Sequence, residues 1–281
     1  MPVSNPCNSP QWHAIRRESV LARDLIGSGV TALGRANYAD QLGQYYSAFF
    51  GLSVGLERLS KLVLVVDHAL SNHGQMPSED VVRRYGHRLT ELLNKVDQIA
   101  LEHGAHLTYQ RPKDIIALSI VDCLDSFADA RRGRYANFGS LDTPNLSSEE
   151  PIKSWWELVA HHILSKHYEG KQIQRNVESR ANMIDSIMSG FTHVLHVDES
   201  EQTMDNVRTA SVRTGQTKVV QKFGRYHTLT TVRWLSDVYT QLAKMAAYQY
   251  RYEAFFGSWE FLQTYTVDDS FLKSRKVWPL A

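Results

Sequence analysis

Apolar residues recur at alternating spacings of three and four through residues 38–72: Leu42, Tyr45, Phe49, Leu52, Leu56, Leu59, Val63, Val66 and Leu70. That spacing keeps one apolar stripe on one face of a helix, and it continues on both sides of the valine-rich part without a turn signal, so it predicts one long helix. Gly51 and Gly55 stand four apart inside it, placed to let another helix approach closely. Residues 75–78 read as a loop, with Ser78 as N-cap ahead of Glu79 and Asp80. A second stripe, Val82, Tyr85, Leu89, Leu92, Val96 and Ile99, ends near His103-Gly104, and two such helices joined by a short loop are expected to pack antiparallel. A third, Ile116, Ile120, Leu124 and Phe127, begins after Arg111-Pro112, with Pro suited to a first turn, and ends around Gly133.

Residues 139–148 (GSLDTPNLSS) have linker composition. Beyond them Ser147 and Glu150 are spaced as a capping box opening a helix through Ile152, Trp155, Trp156 and Val159. Ile173, Val177, Ile184, Ile187 and Phe191 form another stripe, with Arg180 at one expected apolar position. The acidic residues 198–205 read as a loop, the following Thr/Val-rich stretch as a hairpin centred on Thr214-Gly215, and a last long helix is expected from Tyr226 through Trp234, Leu235, Val238, Leu242 and Met245. The predicted fold is all-α: an antiparallel up-and-down bundle of long amphipathic helices with a helical C-terminal extension.

Composition narrows the function classes. With 281 residues, 43% hydrophobic and 22% charged, the chain has the make-up of a globular protein, and wholesale disorder is excluded. Its longest apolar run, Leu62 to Val66, falls far short of the roughly 20 residues of a membrane span. No membrane role is expected. Two cysteines, Cys7 and Cys123, and no basic-then-apolar leader point to a reducing cytoplasm. A net charge of +1 excludes gripping nucleic acid by bulk charge, so any such contact must be local. Phosphate-loop, dinucleotide and hydrolase-elbow motifs are absent, and His161, His162, His167, His193 and His196 lack familiar metal spacing; no metal or other cofactor is expected.

Local clusters carry the chemistry instead. Glu57 and Lys61 are spaced for an intrahelical ion pair, and with His68 they form a polar ridge beside the apolar stripe. Arg83, Arg84, His87 and Arg88 form a basic cluster, in which Arg84, His87 and Arg88 would share a helix face; an anionic partner would be either phosphate or Asp122, Asp125 and Asp129 of the third helix. After that helix Arg131, Arg132, Arg134, Tyr135 and Asn137 provide guanidinium groups for bidentate phosphate contacts and a ring for stacking a base, while a helix C-terminus alone also favours such cations. From Asn206 to Ser236 there is no acid, but there are Arg208, Arg213, Lys218, Lys222, Arg225 and Arg233, a run that suits either a phosphate-rich ligand or the neighbouring acidic loop.

The segments YYSAFFGLSVGLERLSKLVLVVDHAL (45–70), YGHRLTELL (85–93) and RRGRYANF (131–138) resemble successive signature helices of the HEPN superfamily, the higher-eukaryote and prokaryote nucleotide-binding domains. The resemblance covers about half the chain and implies a HEPN-like core over residues 1–140, with residues 141–281 as a helical region packed on it. It further implies an RNA- or nucleotide-engaging protein, commonly a homodimer, found in toxin and antiphage defence systems with a cognate antitoxin or defence partner. Carried over residue by residue, it matches Glu57, Lys61, His87, Arg134, Tyr135 and Asn137 and assigns His87 and Arg134 to metal-independent RNA cleavage; Glu57, Lys61, Tyr135 and Asn137, together with Arg84, Arg88 and Arg131 of the local basic clusters, are expected to bind RNA or nucleotide. The ribonuclease members place a His after an Arg and four to six intervening residues, and no Arg of this chain has that spacing. The alternative implied by that departure is a non-catalytic dimerisation or interaction subunit.

Overall fold

The computed structural model describes residue 5 and residues 8–128 and 150–279. The fold is an all-α helical bundle: α1 (Pro10–Leu33), α2 (Gly43–Ser71), α3 (Glu79–Arg84), α4 (Leu89–Glu102), α5 (Ile115–Ala128), α6 (Pro151–Trp155), α7 (His161–His167), α8 (Gln172–Met188), α9 (Val207–Lys244) and α10 (Asp269–Ser274). Among the described residues the strands are β1 (His196–Val197) and β2 (Thr203–Met204), an antiparallel pair with His196 opposite Met204. The expected linker 139–148, Ser147, Asp129 and the RRGRYANF segment with Arg131, Arg132, Arg134, Tyr135 and Asn137 lie outside the described residues. The chain forms two compact units, neither of them one stretch of sequence: Met1–Val30, Gly51–Lys113 and Thr228–Ala281 make the first, Thr31–Phe50 and Asp114–His227 the second.

In the first unit α2 lies directly on α1. A Cβ on Gly51 would stand 2.8 Å from the Leu25 carbonyl oxygen and 3.1 Å from Gly29 Cα, and one on Gly55 would stand 2.7 Å from Ile26 Cγ1. The two glycines therefore set the helix separation, and Leu52, Leu56, Leu59, Val63 and Val66 are buried at this core. Asp237 of α9 pins the loop before α5, its Oδ2 accepting from the amides of Thr108 at 2.6 Å and Tyr109 at 2.9 Å.

The expected second helix is two helices. Gly86 adopts φ +81°, a conformation that L side chains rarely reach, and the chain breaks between α3 and α4. Ser78 does stand at the N-cap of α3, although its hydroxyl makes no capping bond. The antiparallel pairing also fails for this joint. His87, just before α4, meets Glu57, whereas His103, just after α4, meets Asp67, so α4 runs in the same direction as α2. Residues 72–88 carry the chain back before α4 starts.

In the second unit Phe49 packs against Phe127 and Trp155 at centroid distances of 5.6 and 5.4 Å. The third helix starts at Ile115, where Asp114 accepts from the Ile116 amide at 3.2 Å, so Pro112 precedes its first turn. Glu150 itself caps α6, accepting from the Lys153 amide at 2.8 Å, with Pro151 in the first turn. Thr214-Gly215 makes no hairpin: both residues lie inside α9, where Gly215 leaves space for Val177 of α8. The hairpin falls earlier, at residues 196–204, around the acidic turn. There Glu199, with no side-chain exposure, accepts from Arg213 Nε at 2.8 Å and from the hydroxyls of Tyr45 at 3.2 Å and Thr217 at 3.3 Å. Arg213 also meets Asp198 at 3.2 Å and lies 3.7 Å over the Trp156 ring.

Candidate functional site

The site on the first unit is built by α2 and the break after α3. Glu57 and Lys61 follow each other by one helical turn, and Lys61 Nζ donates to Glu57 Oε1 at 2.8 Å. The same oxygen accepts from His87 Nδ1 at 2.9 Å. Glu57 and Lys61 are largely shielded, at 21% and 15% side-chain exposure, while the His87 ring is 76% exposed. A carboxylate only accepts, so Nδ1 carries a hydrogen and Nε2 is the ring nitrogen left for a ligand. The arrangement is an imidazole held by a largely shielded acid, with a lysine ammonium on the same carboxylate oxygen.

The break at Gly86 is what makes this possible. On a continuous helix His87 would sit in phase with Arg84 and Arg88; instead Arg84 ends α3, Arg88 is the N-cap of α4, and the shared face expected for the three does not exist. Arg88 pairs locally with Glu91 at 3.1 Å and Arg83 with Glu79, while Arg84 forms no ion pair with a described residue. The structure thus brings Glu57, Lys61 and His87 together and leaves Arg84 and Arg88 as flanking cations. Arg131, Arg134, Tyr135 and Asn137 lie outside the described residues.

A second acid–imidazole pair lies further along α2. His103 Nε2 donates to Asp67 Oδ1 at 2.8 Å, with both side chains mostly shielded. Between the two pairs the Tyr85 hydroxyl donates to the Leu64 carbonyl at 3.5 Å; burial first, and the Asp67 charge second, push its phenol above the ordinary tyrosine range. None of Asp67, Tyr85 and His103 is among the expected site residues: Tyr85 belongs to the second apolar stripe and His103 to the end of that helix. Asp67, the chain neighbour of His68, carries this second pair, and only the parallel course of α4 brings His103 to it. Among the described residues no group of three or more His, Cys, Asp and Glu side chains could hold a metal ion, and no helix is long and apolar enough to cross a membrane.

No family model, no curated protein and no solved structure matches the chain.

Proposed function

We propose that this chain is a HEPN-like protein that engages RNA and cleaves it without a metal ion, with His87 as the proton-transfer group. The observation that supports this most directly is the exposed His87 ring held at Nδ1 by Glu57, itself bonded to Lys61. An imidazole so held can take a proton at Nε2, and the resulting imidazolium is stabilised by the carboxylate behind it. In the reaction, the ribose 2′-hydroxyl loses its proton to Nε2 as its oxygen bonds to the adjacent phosphorus. The bond from phosphorus to the 5′-oxygen breaks, that oxygen takes a proton from a water molecule as it leaves, and the hydroxide so formed takes the proton back from Nε2 to regenerate the imidazole. Lys61 and the flanking Arg84 and Arg88 suit the phosphate backbone, and Arg134 is assigned the charge of the pentacovalent phosphate. Tyr135 and Asn137 are assigned to RNA contacts on the same resemblance, and Arg131 on its charge.

The test is incubation of the purified chain with total RNA and with tRNA, with and without EDTA, comparing wild type with His87→Ala, Glu57→Gln and Arg134→Ala. Cleavage that survives EDTA and falls at least a hundredfold in His87→Ala is expected, general acid–base catalysis being worth about 10²–10⁴-fold. Equal cleavage by all four proteins would refute the assignment. The missing Arg-to-His spacing favours a second reading, a non-catalytic homodimeric subunit of a defence system; a stable dimer in sedimentation with neither RNA cleavage nor RNA binding would select it.

A further inference from the structure

In the second unit a groove of about 370 Å³ opens between α8 and α9. Two contacts fix how its walls align: Val177 fills the space left by Gly215, and Asn182 Oδ1 accepts from Arg208 Nε at 2.7 Å, so the helices run antiparallel. The α8 wall is apolar, formed by Ile173, Val177, Ala181 and Ile184 at successive spacings of four, four and three. Arg180 projects from the same helix and Lys218 from the opposite one, joined by the hydroxyl-bearing Ser211 and Thr214. Among the described residues no acid lines the groove, and neither Arg180 nor Lys218 forms an ion pair.

The cationic run on α9 is elsewhere largely engaged. Arg213 is taken by Asp198 and Glu199, Arg208 by Asn182, Arg233 by Asp269, and Lys222 lies 5.3 Å from the Phe223 ring. Arg225 is buried, whereas Lys218 is exposed, at the mouth of an apolar channel. From the register of the two contacts, Arg180 and Lys218 are about 10 Å apart along the helices, at 1.5 Å per residue, within joint reach of two long side chains. A smaller neighbouring cavity of about 210 Å³ shares Thr214 and Lys218 but includes Asp40, so an anion belongs on the α8 side of the lysine.

We propose that this groove is a binding site for an amphiphilic anion, a linear aliphatic carboxylate whose chain lies along Ile173, Val177, Ala181 and Ile184 and whose head is held by Arg180 and Lys218. The volume admits about a dozen water-sized groups, at about 30 Å³ each, which matches a chain of medium length. An apolar channel with a few convergent polar groups is the usual form of a small-molecule site. The charge complement selects an acid over the corresponding alcohol, and the binding does not depend on the chemistry at His87.

Isothermal titration of the full chain with sodium decanoate, 1-decanol and decyltrimethylammonium tests the assignment, using wild type, Lys218→Ala, Arg180→Ala and Ile184→Asp. These positions are on the surface, and circular dichroism checks that each variant is folded. Decanoate is expected to bind, decanol and the ammonium at least tenfold more weakly, and each variant to lose at least tenfold in decanoate affinity. Absence of decanoate binding up to about 1 mM, where the standard binding free energy is near 4 kcal/mol, overturns the proposal. So does equal affinity for decanoate and decanol, or binding that all three variants leave unchanged.

Discussion

Replacing Glu199 by Ala is expected to cost about 3 kcal/mol of stability, at the lower end of the range for breaking a buried ion pair by removing one partner. The carboxylate has no side-chain exposure and Arg213 only 13%, so water offers little compensation. After truncation Arg213 keeps Asp198 at 3.2 Å, which is why the cost stays at the low end. The two hydroxyls that lose their acceptor also retain partners: Tyr45 accepts from Trp156 Nε1 at 3.0 Å, and Thr217 can turn to the Arg213 carbonyl at 3.0 Å. Glu199→Gln keeps the shape and a hydrogen bond but not the charge, and is expected to cost about 1–2 kcal/mol, the difference between a charge-assisted bond and a neutral one. Urea unfolding followed by tryptophan fluorescence, with the slope held constant, gives these differences as shifts in midpoint. Arg213→Met and the double variant close a cycle whose coupling should be about 2 kcal/mol. An Ala variant within about 0.5 kcal/mol of wild type, or a Gln variant as damaging as Ala, would refute the reasoning. The same cluster sets an alkaline limit. Burial first and the Glu199 charge second raise the Tyr45 phenol well above its ordinary value, so the folded state keeps a proton that the unfolded chain releases, and stability falls as pH rises past the usual tyrosine range.

Other variants probe other links. Asp237→Ala strands the Thr108 and Tyr109 amides and should cost about 3 kcal/mol in urea unfolding, while amide exchange at both positions accelerates; unchanged exchange would show that the carboxylate is not their anchor. Gly51→Ala should destabilise by about 1–3 kcal/mol despite better helix propensity, because the new methyl meets the Leu25 carbonyl, whereas Gly43→Ala, with nothing within 4 Å, should be neutral or stabilising by up to about 1 kcal/mol; equal effects would contradict the close approach of α1 and α2. Burial, then the charges of Glu150 and Asp122, push the Cys123 thiol up to about 12, so in a Cys7→Ser background its alkylation at pH 8 should follow unfolding; rapid labelling of the folded protein would count against that burial.

The long α2 was legible because its stripe is buried as read, from Tyr45 through Val66; Leu42 at its start is 44% exposed. The Gly51–Gly55 spacing likewise announced a close neighbour without saying which. Gly86 was hidden because Val82, Tyr85 and Leu89 keep helical spacing across it, and a stripe cannot report a positive φ. Gly215 misled in the other direction: a Thr-Gly pair amid β-branched residues has turn character, but Thr217, Thr228 and Thr231 are buried within α9, where packing overrides local preference. The stripe that runs through α8 does not form a core: Ile187 and Phe191, its last two members, are 63% and 90% exposed. At the candidate site, Glu57 and Lys61 followed from spacing and His87 from the motif it belongs to. Asp67 and His103 depended on the direction of α4, which no local pattern encodes.

That direction has a consequence for how the chain tolerates change. Because α4 runs alongside α2 and not back against it, the intervening residues 72–88 serve as a return path whose length is loosely specified, while the step from His87 into Leu89 is fixed in angle. Residues added between Ser71 and Ser78 only lengthen the detour, and loop entropy grows slowly with length. A single residue added between His87 and Leu89, where Arg88 is extended, would displace the imidazole by about 3 Å and turn it to the opposite side of the chain, away from Glu57. Chains sharing this site would therefore differ freely in the detour and agree in the dipeptide step that ends it.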